Sequence, residues 1–71
     1  MEDRDDTKYY LATFETSEKH IQGEPQKISV FSSYPEAILQ GTEQIRRGTI
    51  QAISIKKGRK LVISLEDGLR L

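Results

Sequence analysis

The sequence predicts an α+β domain of order β-β-α-β-β, in which one helix packs on one face of a mostly antiparallel four-stranded sheet. Three observations predict it. A single stretch with helical apolar spacing and capping residues lies at 33–48, and alternating runs rich in aromatic and β-branched residues flank it on both sides. A chain of 71 residues also leaves room for one core only.

The chain begins with an acidic stretch. Residues 1–6 carry five charges and nothing apolar after Met1, so little there offsets the entropy of ordering, and a disordered tail is expected ahead of a single domain over 7–71. Lys8 to Thr16 (KYYLATFET) suits a strand with Tyr10, Ala12 and Phe14 on one side and Tyr9, Leu11 and Thr13 on the other. Ser17 to Gln26 gathers Ser, Gly, Pro and charge, the composition of a surface loop. Lys27 to Ser32 (KISVFS) alternates again and makes a second strand, with Ile28 and Val30 sharing a face and Phe31 opposite.

Ser33-Tyr34-Pro35-Glu36 has the form of a capping box, with Ser33 as N-cap and Glu36 reaching back to it. Pro35 fits the first turn, Ala37, Ile38, Gly41 and Ile45 form an apolar stripe, and Gly41 allows close approach to a sheet. Arg46 and Arg47 suit the negative end of the helix dipole, and Gly48 suits its left-handed C-terminus. Thr49 to Lys56 and Lys60 to Leu65 then form a hairpin turning at Gly58. A three-residue loop with a bulge at Gly58 is expected, because it sets Ile53 and Ile55 opposite the Leu61, Ile63, Leu65 set. Glu66 to Leu71 suggests a turn at Asp67-Gly68 and a short tail.

One helix covers one sheet face. The covered face is expected to bear Tyr10, Phe14, Ile28, Val30, Ile53, Ile55, Leu61 and Ile63. The open face would then carry Tyr9, Leu11, Phe31 and Val62 among Thr13, Ser29, Ser54 and Ser64, an apolar surface suited to a protein interface or a homodimer contact.

Composition narrows the function classes. There is no Cys, so no disulfide framework and no thiolate metal site, and a cytoplasmic setting is expected. Apolar runs fall far short of the roughly 20 residues that cross a bilayer, and the acidic start is unlike an export signal. His20 is the single histidine, read as exposed and without a role; no nucleophile and base share a motif, and no glycine-rich phosphate loop is present. Neither an enzyme nor a metal or cofactor is expected.

Net charge is +0, yet residues 1–24 hold seven acids against three bases, and residues 45–71 hold seven bases against two acids. Lys56, Lys57, Arg59 and Lys60 crowd the hairpin tip, with Arg46 and Arg47 at the helix end, a grouping that suits salt-sensitive contact with phosphates. The reading that follows is a small non-enzymatic interaction module of the bacterial or phage kind, a regulator, inhibitor or adaptor that binds another protein or itself. The alternative is a nucleic-acid binder using those six cations.

Overall fold

The computed structural model describes residues 5–66. It contains β1 (Tyr9–Phe14), α1 (Ser17–Gln22), β2 (Lys27–Phe31), α2 (Tyr34–Arg47), β3 (Ala52–Lys57) and β4 (Lys60–Glu66). The strands form one open antiparallel sheet of order β2-β1-β3-β4, so β1 and β3 are central and β2 and β4 are edges. The α+β class and its main helix are as expected. Residues 1–4 of the expected tail and the turn at Asp67-Gly68 lie outside the described residues.

The segment 17–26 expected as a loop contains α1. Thr16 caps it, its side chain accepting from the Lys19 amide at 3.1 Å, and Gly23 closes it. Six residues cannot sustain a helix alone, so α1 depends on what it packs against.

α2 runs to Arg47 and ends in a left-handed Gly48. Its start differs in detail from a capping box: Ser33 is the N-cap with extended backbone, but its side chain makes no cap hydrogen bond. Pro35 in the first turn removes one of the amides that a cap would otherwise serve. Ala37 and Gly41 are the buried positions of α2, and they meet Leu11, Ile53 and Ile55, with Ile50 completing the cluster.

The β3–β4 hairpin reaches the expected facing of Ile53, Ile55, Ile63 and Leu65 by another route, while Leu61 pairs with Lys56 and falls on the opposite face. Lys57 pairs with Lys60, leaving a two-residue loop of Gly58 and Arg59, with Gly58 at φ +63°. The register then shifts between Ile55 and Lys56: Ile55 pairs with Ile63 and Lys56 with Leu61, so β4 spends Val62 as an extra residue. The bulge thus lies inside the ladder rather than in the turn, and it restores Ile53 opposite Leu65.

In β1 and β2 the facing is the reverse of expectation. Leu11 is 1% exposed beneath α2, and Tyr9 and Phe31 pack against the same cluster. Ile28 and Val30, expected in the core, are 43% and 54% exposed, as is Leu61 at 58%. Register explains the choice. Leu11 pairs with Ile55, and Tyr9 pairs with Phe31 on one side and Lys57 on the other, so these residues share the face that carries Ile53 and Ile55. Phe14 is buried, but on the opposite face, where its ring centroid lies 4.8 Å from that of His20 in α1.

Candidate functional site

The sheet face away from α2 is partly open. Tyr10, Ala12, Phe14, Ile28, Ser54 and Lys56 line a shallow trough of about 300 Å³ bounded by Gly23 and Pro25 beyond α1. Its floor is low because Ala12 and Ser54 are paired small residues on the two central strands. Ile28 and Val30 on one edge, and Leu61 and Val62 on the other, form apolar margins. Of the four residues expected at an open-face interface, Val62 is on the surface at 46% exposure. Leu11 lies under α2, and Tyr9 and Phe31 are half-buried there, Tyr9 edge-on to Tyr34 with ring centroids 6.0 Å apart. Ser54 and Ser64 keep their expected face, although Ser54 is buried there at 8% exposure, whereas Thr13 lies on the α2 face and donates from its hydroxyl to the Lys27 carbonyl at 3.3 Å.

The expected basic grouping divides in two. α2 starts at the hairpin-tip end of the sheet, where Tyr34 meets Tyr9, and ends at the other, where Gln44, Thr49 and Ile50 border Thr13 and Lys27. Arg46 and Arg47 are therefore about one strand length, roughly 20 Å, from the tip. Arg47 also pairs with Glu43 one helical turn away at 3.1 Å.

At the tip, Lys57, Arg59 and Lys60 surround a hollow of about 450 Å³ with Asp6 on its rim. Lys56 belongs to the trough on the open face, while the Lys57 ammonium lies 5.8 Å from the Tyr9 ring centroid on the other. The first described residues cover this end. Asp5 accepts from the Thr7 amide and hydroxyl at 2.8 and 2.6 Å, the Tyr10 hydroxyl accepts from the Asp5 amide at 2.9 Å, and the Gly58 amide donates to the Lys8 carbonyl at 3.0 Å. The Thr7 hydroxyl bond, reinforced by the Thr7 amide, holds the Asp5 carboxyl below its ordinary value.

A third grouping was not legible in the sequence. His20 is not exposed and idle: its Nδ1 lies 2.6 Å from Glu66 Oε2, its Nε2 lies 3.0 Å from Ser64 Oγ, and Phe14 packs on its ring. Glu66 and Ser64 stand two apart on β4 and so point to one face, the one α1 crosses. Ser64 is exposed, while His20 and Glu66 side chains are about one-fifth exposed. The residues are 44 to 46 positions apart in the chain, and spacing carries no hint of them. Among the described residues no cluster of three or more His, Cys, Asp and Glu could hold a metal, and no helix is long and apolar enough to cross a membrane.

No family model matches the chain, and no curated protein or solved structure matches it.

Proposed function

We propose that this protein is a small interaction module whose open sheet face receives a segment of another protein. The observation that supports this reading most is the pair of exposed apolar margins, Ile28 with Val30 and Leu61 with Val62, on either side of a trough floored by Ala12 and Ser54. A sheet surface built only to meet water would place polar side chains at those positions. Lys56 stands in the trough among apolar groups, and its ammonium favours a partner that brings a carboxylate together with apolar side chains. The tip cations Lys57, Arg59 and Lys60 support the nucleic-acid alternative less well, because Arg46 and Arg47 stand at the other end of the sheet and Asp6 borders the hollow.

The test is affinity capture with three forms of the chain: unmodified, Val30→Asp, and Leu39→Asp. Leu39 is exposed on α2 and serves as a control on the other side of the molecule. The expected result is a partner retained by Leu39→Asp and lost by Val30→Asp. A partner held equally by all three forms, or the absence of any partner, overturns the reading. Sedimentation of the same samples identifies the case in which the partner is a second copy.

A further inference from the structure

The Glu66, His20, Ser64 chain has the order of an acid, an imidazole and a hydroxyl, and the order follows from hydrogen-bond chemistry. An ionised carboxylate only accepts, so at 2.6 Å from Glu66 Oε2 the ring's Nδ1 must carry a hydrogen. In the neutral ring Nε2 then keeps its lone pair, and the Ser64 hydroxyl 3.0 Å away donates to it. Glu66 thereby selects the tautomer that turns a base toward Ser64, and Phe14 packing on the ring at 4.8 Å holds its plane.

We propose that Ser64 is an acyl-accepting nucleophile, with His20 as its general base and Glu66 as a positioning residue, acting on small esters that have an apolar or aromatic acyl group. Access and binding space point the same way. Ser64 is the exposed member of the chain, and its cross-strand partner is Ser54, a lining residue of the trough. Directly paired residues have Cβ atoms about 5 Å apart. An acyl group that extends from Ser64 across Ser54 toward Ala12, two strand spacings or about 10 Å away, enters the trough, and the Ser54 hydroxyl lies on the same face as a donor to the carbonyl oxygen.

The chemistry needs only ester and water. Ser64 Oγ bonds to the carbonyl carbon as its proton passes to His20 Nε2, and collapse of the tetrahedral species breaks the ester C–O bond while His20 returns that proton to the departing alcohol. His20 next takes a proton from water, the resulting hydroxide attacks the acyl carbon, and the acyl–Oγ bond breaks. Ser64 regains its proton and a carboxylic acid leaves. This activity goes beyond the docking role, and its test does not depend on a captured partner.

The same hydrogen bonds would also pin α1 to β4 without any chemistry, so the experiment must separate the two. The unmodified chain is mixed with p-nitrophenyl butyrate, and p-nitrophenolate release is followed together with intact mass. The expected result is a burst approaching one equivalent, a butyryl adduct that maps to Ser64, and a turnover rate at least about 100-fold above that of Ser64→Ala, as a positioned base and nucleophile supply. Ser64→Ala keeps the His20 to Glu66 bond, so α1 stays seated and the comparison isolates the hydroxyl. Glu66→Gln is expected to lower the rate while the adduct still forms on Ser64, since it removes orientation and not the nucleophile. Release no faster than buffer overturns the proposal. So does a Ser64→Ala rate equal to that of the unmodified chain, which would assign the reaction to the bare imidazole.

Discussion

Gly41 offers a sharp test of how α2 sits on the sheet. A Cβ added there would stand 2.4 Å from Ile53 Cδ1 and 3.1 Å from Leu11 Cδ1, both belonging to side chains with essentially no exposure. Two effects oppose each other in Gly41→Ala. Alanine gains about 1 kcal/mol over glycine in a helix interior, whereas overpacking a closed core costs about 1–3 kcal/mol. The Ile53 methyl is the end of a flexible side chain, but with no space around it the clash should win, for a net loss of about 1 kcal/mol. Ile53→Val alone deletes Cδ1 and costs about 0.5–1.5 kcal/mol. Combined, the two changes relieve the main clash: with Cδ1 absent, the nearest Ile53 atom to the new methyl is Cγ1 at 3.6 Å, an ordinary contact, and only Leu11 Cδ1 at 3.1 Å has to give slightly. The double variant should lie within about 0.5 kcal/mol of the parent, a coupling of about 1.5 kcal/mol. Urea unfolding followed by circular dichroism reads this directly, since at a slope near 1 kcal/mol per molar each kcal/mol moves the midpoint by about 1 M. Additive effects, or a Gly41→Ala protein more stable than the parent, would refute the close helix–sheet approach.

Four further outcomes follow from the same geometry. Ile53→Ala should cost about 2–5 kcal/mol and Leu39→Ala less than about 0.5 kcal/mol by the same urea assay, because one side chain is enclosed and the other lies on the outer side of α2. His20→Ala should speed amide hydrogen exchange across 17–23 while leaving β1 and β3 protected, because α1 is too short to stand without its anchor. If the chain binds duplex DNA, the slope of log K against log salt should be no steeper than about −3, the value for three phosphates met by the tip, rather than about −5 for six clustered cations. The Asp5 carboxyl should titrate below 3.8 in a carbon-detected NMR titration and move part of the way back toward its ordinary value in Thr7→Val, which removes the hydroxyl bond and keeps the amide bond. Its folded value is the depressed one, so the small stabilisation it brings is complete above 3.8 and fades as pH falls through the folded value.

Much of this fold was open to inspection in the chain itself. The limits of α2 follow from Pro35, the Ala37 to Ile45 stripe and Gly48, all of them local signals with local causes. The β3–β4 hairpin follows from Gly58 between two alternating runs, and its core pair, Ile53 and Ile55, follows from matching apolar residues on β4. Local patterns failed where both sides of a strand were apolar. Tyr9 and Leu11 compete with Tyr10 and Phe14 for the core, and Phe31 competes with Ile28 and Val30. Alternation alone cannot rank them; the order β2-β1-β3-β4 does, by placing Leu11 beside Ile55 and Tyr9 beside Phe31. The bulge at Val62 has no signature in either strand alone, because it is a property of two strands paired together. The six cations are near one another along the chain but not in space, because α2 and β3 each span the sheet and separate Arg46 and Arg47 from the tip. His20, Glu66 and Ser64 show the converse. They are distant in the chain and adjacent in the molecule, since a six-residue helix crossing the sheet sets an imidazole over the far edge strand, and no pattern along a single segment encodes a meeting of that kind.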